Sequence, residues 1–154
     1  MMTLCSDVLK ALKGKTFATA ESCTGGGIGA AITAVPGASK VFVGGVVSYT
    51  NDVKHRVLGV EQAVLDKYGA VSAPVAGAMA SGVRNLMQAD VAVSVTGLAG
   101  PGGDDFGNPV GTVCIGYADK RQRLAKQYLF YGDRDEIRDQ AIRAALELVL
   151  EINQ

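Results

Sequence analysis

The sequence is poor in the residues that build metal sites and disulfide frameworks. It contains a single histidine, His55, no tryptophan, and three cysteines, at positions 5, 23 and 114, that form no C-x-x-C pair. An odd number of unevenly spaced cysteines favours a reducing compartment and argues against structural disulfides and zinc. One histidine also excludes a multi-histidine metal site, so we expect no metal.

Net charge and long apolar runs are missing as well. The 15 Lys and Arg residues balance 15 Asp and Glu residues, so no general electrostatic attraction to nucleic acid or to a membrane surface follows. No apolar run reaches the roughly 18 residues of a membrane span, and no basic-then-apolar signal peptide opens the chain. We therefore expect a cytoplasmic protein that binds neither nucleic acid nor membrane.

Glycine, by contrast, is abundant. The chain has 20 glycines among 154 residues, and 48% of its residues are apolar. Average proteins contain about 7% glycine, and the excess indicates tight turns and backbone that is open to a ligand. The length and the apolar content suffice for a substantial core, so a single domain over residues 1–154 is expected.

Predicted helices and strands alternate along the chain. Strands are expected near residues 16–20, 41–50, 91–96, 111–117 and 125–131, and helices near 4–12, 28–34, 51–57, 61–68, 73–86 and 134–148. This alternation predicts an α/β fold, a three-layer α/β/α domain with a mixed, mostly parallel sheet. The last two strands are joined too briefly for a helical crossover, so that pair should be antiparallel.

Three polar or glycine-rich segments follow directly from predicted strands: 21–27, 49–54 and 97–103. Ligands of open α/β sheets bind outside the carboxyl ends of the strands, so we expect these segments to meet in space. The loop 97–109 is also longer than most ordered connections, as is typical of functional loops. Its backbone N–H groups suit a phosphate or carboxylate, and the alternative is a plain surface loop.

The segment ESCTGGG at 21–27 has three interpretations. Ser22 could be a nucleophile at a strand-to-helix turn, with the following backbone N–H groups as an oxyanion hole. The glycine spacing of residues 25–30 also matches a dinucleotide fingerprint, G-x-G-x-x-A. In the third interpretation, Ser22 or Thr24 caps the helix and the glycines serve the turn geometry. The spacing alone leaves all three open.

A serine nucleophile needs a base. His55 is the only imidazole, but a lone histidine beside Lys54 and Arg56 is typical of a solvated helix. Lys54 can be the base if burial or nearby cations bring its pKa toward neutrality, and Tyr49 could relay the proton. Structural roles for both remain the alternative. Cys23 is a rival nucleophile, although a cysteine without a paired histidine is more typical of a small buried residue.

Four motifs occur in order along the chain: ESCTGG at 21–26, SYTNDVK at 48–54, VTGLAGPGG at 95–103 and PVGTV at 109–113. Together they resemble the CinA C-terminal domain family in its stand-alone form, from about residue 5 to 150. The resemblance implies a bacterial amidohydrolase that converts nicotinamide mononucleotide (NMN) to nicotinate mononucleotide and ammonia. It implies no metal or organic cofactor, a small-molecule nucleotide as partner, and a homo-oligomer, in the simplest case a dimer.

The resemblance also implies roles for particular residues. Ser22 corresponds to the family's nucleophile, with Tyr49 and Lys54 assisting it. The residues expected to contact substrate are Thr24, Gly25, Gly26, Asn51, Thr96, Gly97, Ala99, Gly100, Arg134 and Arg138.

Two positions depart from the family pattern. Pro74 stands where many members have an acidic residue, and Asp52-Val53 replaces a commoner Glu-Ala, which could change how Lys54 is presented. A non-catalytic nucleotide-binding or interaction module and a dinucleotide-binding oxidoreductase are the alternative functions.

Overall fold

The computed structural model describes residues 1–154 and is built around a five-stranded sheet. The strands are β1 (Phe17–Glu21), β2 (Phe42–Val47), β3 (Val91–Gly97), β4 (Thr112–Ala118) and β5 (Arg123–Leu129). The helices are α1 (Met2–Ala11), α2 (Gly27–Thr33), α3 (Asn51–Arg56), α4 (Gln62–Tyr68), α5 (Ala73–Met87) and α6 (Arg134–Asn153), with a short 3-10 turn at Ala38–Lys40.

The sheet is mixed, as the sequence predicts, with the strand order β2-β1-β3-β4-β5. Strand β1 pairs in parallel with both β2 and β3, whereas β4 pairs antiparallel with β3 and with β5. The predicted antiparallel pairing of the last two strands is therefore confirmed. Only β4 runs against the other strands, because no helix crosses over between β3 and β4.

Helices cover both faces of the sheet, which confirms the three-layer α/β/α architecture. Helices α1, α2 and α6 pack together on one face, and α5, joined by α4, crosses the other. Neighbouring residues of β1 contact opposite helical layers. Phe17 belongs to the larger apolar cluster, with α1, α2 and α6, and Ala18 belongs to the cluster with α5. Burial of these two apolar surfaces is the main force that holds the layers together.

Strand β2 is shorter than predicted and has the bulge that its glycines suggest. The pairing with β1 shifts register between Phe42 and Gly44, and Gly44 has φ +153°. The chain leaves the sheet after Val47, and Thr50 caps α3 by accepting a hydrogen bond from the Val53 N–H at 3.3 Å. The cap is thus Thr50 rather than Asn51 or Asp52, because Thr50 is the last residue with an extended backbone.

Strand β5 begins two residues earlier than predicted. The Asp119 carboxylate accepts hydrogen bonds from the N–H groups of Arg121 and Gln122 at 2.8 and 2.9 Å. This tight turn returns the chain to the sheet at Arg123, and the strand ends at Leu129. None of the helices combines the length and the apolar content that crossing a membrane would require.

Candidate active site

A cavity of about 280 Å³ opens at the carboxyl ends of β1 and β3. The three segments predicted to meet do so here, joined by the first turn of α6 and by residues 70–71. The predicted site residues that line the cavity are Ser22, Tyr49, Asn51, Lys54, Thr96, Gly97, Ala99, Gly100 and Arg134. A larger groove of about 640 Å³ lies beside α5, but its charged side chains are all exposed and it contains none of these residues.

The centre of the cavity is a hydrogen bond between a lysine and a serine. The Lys54 Nζ donates to the Ser22 Oγ at 3.0 Å and to the Ser48 carbonyl oxygen at 2.8 Å. Lys54 is only 1% exposed, and no carboxylate forms an ion pair with it. Burial lowers the pKa of Lys54 from its ordinary 10.5 to about 8, so a useful fraction of the amine is neutral near physiological pH and can accept the serine proton.

Contacts between β1 and the segment after β2 bring these two residues together. Both the N–H and the hydroxyl of Ser48 donate to the Glu21 carbonyl oxygen, at 2.7 and 3.1 Å. The Thr50 cap then begins α3, and Lys54 lies one turn into that helix with its side chain directed at Ser22. Ser22 itself is held to β3, because its N–H donates to the Val95 carbonyl oxygen at 2.9 Å.

A buried carboxylate, and not a hydroxyl, caps the helix that follows the serine. The Glu21 carboxylate is 2% exposed; it accepts hydrogen bonds from the Thr24 hydroxyl at 2.6 Å and from the N–H groups of Ile28 and Gly29 at 2.9 and 3.1 Å. The interpretation of Ser22 or Thr24 as the helix cap is therefore wrong, and Ser22 is free to bond Lys54. The dinucleotide interpretation also fails, because Glu21 occupies the helix N-terminus where a pyrophosphate would bind.

Sequence reasoning assigned no role to Glu21. The sequence nevertheless contained an indication of this role. Glu21 precedes a predicted helix, with a threonine three positions later, and a carboxylate near a helix N-terminus interacts favourably with the helix dipole. The spacing did not show which N–H groups the Glu21 carboxylate would bond. The turn at 22–26 lies between Glu21 and the helix, so Glu21 does not stand at the usual cap position.

The turn itself leaves several backbone donors free. The N–H groups of Gly25 and Gly27 are used within the turn, by the carbonyl oxygens of Ser22 and Thr24 at 3.1 and 2.9 Å. The N–H groups of Cys23, Thr24 and Gly26 have no acceptor in the chain. Of these three residues only Cys23 lines the cavity, so the predicted oxyanion hole over residues 23–27 is reduced to the Cys23 N–H.

Four residues expected to contact substrate do not line the cavity. Gly25 and Gly26 adopt left-handed conformations with φ +61° and +100°, and their role is the turn geometry. The Thr24 hydroxyl is bonded to Glu21. The Arg138 guanidinium donates to the backbone carbonyl oxygens of the turn, behind the cavity.

The mouth of the cavity is bridged by Arg134. Its guanidinium donates to the Gly100 carbonyl oxygen and, at 3.3 Å, to the Tyr49 hydroxyl. Tyr49 is 60% exposed and bonds neither Ser22 nor Lys54, so the geometry gives it no place in a proton relay. The N–H groups of Ala99 and Gly100 have no acceptor in the chain and remain available to an anion, whereas the Thr96 hydroxyl is bonded to the Ala70 carbonyl oxygen at 2.9 Å.

The rival catalytic groups are not arranged for catalysis. The Nδ1 atom of His55 lies 2.8 Å from the Val60 carbonyl oxygen, and His55 does not line the cavity. Cys23 lines the cavity, but burial raises the pKa of its thiol to about 11, so it is almost entirely un-ionised at neutral pH and a weak nucleophile. The Ser22–Lys54 pair is the one arrangement here that can activate a nucleophile.

A model of the CinA C-terminal domain family matches residues 1–152. The chain belongs to the CinA C-terminal domain family. It is 54% identical over 125 residues to a CinA-like protein of Geobacter metallireducens, a match that covers 81% of this chain and 30% of that protein. The chain spans about a third of the length of the curated relatives it matches.

Solved structures of the family have the same fold. The competence/damage inducible protein CihA from Agrobacterium tumefaciens is 40% identical, with a TM-score of 0.94 over 99% of this chain and 95% of that chain. The competence damage-inducible protein A (ComA) from Klebsiella pneumoniae is 36% identical, with a TM-score of 0.95 over 97% of this chain and 94% of that chain.

Burial of Lys54 gives the free energy of unfolding a characteristic pH dependence. Because its pKa is lower in the folded protein, the unfolded chain binds more protons between about pH 8 and 10.5, and stability must rise with pH across that window. Relative to Lys54→Met, the wild-type free energy of unfolding should increase by about 3 kcal/mol across that window.

Urea unfolding of both proteins from pH 7 to 11 measures this difference. Lys40→Met, at an exposed position, is the matched control and should leave the pH dependence unchanged. A flat difference between wild type and Lys54→Met would show that Lys54 is solvated.

Proposed function

We propose that this protein hydrolyses the carboxamide of NMN, giving nicotinate mononucleotide and ammonia. The observation that carries the proposal is the buried contact of 3.0 Å between the Lys54 Nζ and the Ser22 Oγ, which no carboxylate neutralises. Membership of the CinA C-terminal domain family supports the substrate class, and the free Cys23 N–H of the turn supports acyl transfer.

Acylation uses neutral Lys54 as the base. In this form the hydrogen bond to Ser22 reverses, and the hydroxyl donates to the Nζ. Ser22 attacks the carboxamide carbon while its proton passes to Lys54, and the carbonyl oxygen becomes an oxyanion bound by the Cys23 N–H. The Lys54 ammonium then protonates the amide nitrogen, the C–N bond breaks, and ammonia leaves an ester on Ser22.

Deacylation repeats these steps with water. Lys54, neutral again after protonating the departing amide nitrogen, takes a proton from a water molecule that attacks the ester carbonyl carbon. Collapse of the second tetrahedral intermediate breaks the ester bond and returns the proton from Lys54 to the Ser22 oxygen. Nicotinate mononucleotide leaves as a carboxylate, and the released proton is taken up by ammonia.

The opposite side of the cavity suits the 5′-phosphate of the nucleotide. The N–H groups of Ala99 and Gly100 are free, and Arg134 lies at the mouth. A guanidinium and backbone N–H groups are the donors that phosphate oxygens prefer. Ala70 and Val71 also line the cavity, and their small apolar side chains suit contact with the pyridine ring.

Ammonia release from NMN by the purified protein tests the activity directly. Ser22→Ala should lower kcat by about 10³-fold or more, because it removes the nucleophile. Cys23→Ala is the matched control at the adjacent position and should cost much less. Mass spectrometry should find the acyl group on Ser22; an acyl group on Cys23 would contradict the assignment, and binding of NMN without turnover would favour a non-catalytic module.

The pH profile identifies the base. Because neutral Lys54 is the active form, kcat/KM should rise with pH through about 8, the lowered pKa of Lys54, and then level off. Lys54→Arg and Lys54→Ala should both be nearly inactive, since arginine keeps the charge but does not give up its proton.

His55→Ala is the control for this profile and should keep both the activity and the rising limb. Initial rates from pH 6 to 10 measure all four proteins. An active Lys54→Arg variant, or a rising limb that disappears with His55, would assign the base to another group.

Removing the phosphate from the substrate should weaken catalysis. Nicotinamide riboside should have a kcat/KM about 10- to 100-fold below that of NMN, since charge-assisted hydrogen bonds are worth about 1.5–3 kcal/mol. Arg134→Ala should lower kcat/KM for NMN but hardly change it for the riboside. Steady-state assays of both substrates on both proteins measure how far the effect of Arg134 depends on the phosphate. Equal kcat/KM for the two substrates on the wild-type protein would show that this end of the cavity binds another group.

A further inference from the structure

A single cation holds the turn after Ser22 from the side of α6. The Arg138 Nε donates to the Cys23 carbonyl oxygen at 3.0 Å, and its Nη2 donates to the Thr24 carbonyl oxygen at 3.3 Å. Arg138 forms no salt bridge and does not line the cavity. Its charge is therefore directed at two backbone carbonyl groups and not at a carboxylate or at the substrate space.

This contact fixes the direction of a backbone donor. Cys23 lines the cavity, and its N–H has no acceptor in the chain. Arg138 holds the Cys23 carbonyl oxygen toward α6, and this bond restricts rotation of the Cys23 backbone. The Thr24 N–H has no acceptor either, but Thr24 has no exposed surface and does not line the cavity, so a substrate oxygen does not reach it.

The turn is held from its other side as well. The Glu21 carboxylate accepts hydrogen bonds from the N–H groups of Ile28 and Gly29, so those donors are not available to a substrate. Among the residues that line the cavity, the Cys23 N–H is therefore the free donor nearest in sequence to the nucleophile.

We infer that Arg138 is a positioning residue for acyl transfer: by holding the Cys23 carbonyl oxygen it fixes the backbone of Cys23, so that the Cys23 N–H binds the oxyanion formed when Ser22 attacks. Fixed donors of this kind are effective because they need no reorganisation during the reaction. The inference rests on the proposed function only for the identity of the substrate.

The test uses Arg138→Ala, Arg138→Lys and a matched control on the same helix, Arg143→Ala, whose guanidinium is exposed and pairs with Glu147. Two rates are measured: turnover of NMN, and phosphonylation of Ser22 by an alkyl fluorophosphonate. In the second reaction the Ser22 oxygen bonds to phosphorus, fluoride leaves, the serine proton passes to Lys54, and the phosphoryl oxygen develops charge in the oxyanion hole.

Arg138→Ala should lower both kcat and the phosphonylation rate by about 10- to 100-fold, below the full effect of losing an oxyanion donor. KM should change little, because Arg138 does not touch the substrate. The rising limb of the pH profile should stay near pH 8, because burial of Lys54 does not depend on Arg138. Millimolar guanidinium should restore part of the lost rate in Arg138→Ala, Arg138→Lys should be intermediate, and Arg143→Ala should match the wild type.

Unchanged rates in Arg138→Ala would overturn the inference. A loss that guanidinium does not restore, together with a shifted rising limb, would also overturn it, because that result describes a site that has collapsed. If the wild-type protein is phosphonylated on Ser22 but releases no ammonia from NMN, the proposed substrate fails and the phosphonylation rates alone decide the role of Arg138. If Ser22 of the wild-type protein is not phosphonylated, both proposals fail.

Discussion

The chemistry of this domain depends on placing one lysine amine out of water beside one serine hydroxyl. Lys54 gains hydrogen bonds to Ser22 and Ser48 but no ion pair, so the cost of burying the ammonium is not offset by an opposite charge. That cost lowers the pKa to about 8 and makes the residue a base. The apolar packing of the three layers must supply the stability that the buried ammonium removes.

The surroundings of the pair follow from the same requirement. A carboxylate near Lys54 would raise its pKa and abolish its use as a base, and the only buried carboxylate in the vicinity, Glu21, is directed into the helix N-terminus instead. Arg138 lies on the far side of the turn, where its charge acts on peptide groups. A carboxylate and a guanidinium thus both lie near Ser22. Each bonds backbone groups, and neither contacts the Lys54 amine.

Among its relatives the chain corresponds to one part of a longer protein. The curated CinA-like proteins are about three times the length of the matched region, whereas the Agrobacterium and Klebsiella structures match it from end to end. The residues of the site all come from this region.

The sequence by itself determined the order of the elements, the mixed sheet and the three segments that meet at its edge, because these depend on local periodicity and on short connections. It also limited the base to Lys54 or His55, since few other candidates exist. It could not choose between Ser22 as helix cap and as nucleophile, or place Arg138 behind the turn, because both depend on contacts between residues far apart in the chain. Only the placement of α3 and α6 beside the turn that follows β1 decided them: Lys54 became buried against the Ser22 hydroxyl, and Arg138 bonded the backbone carbonyl oxygens of the turn.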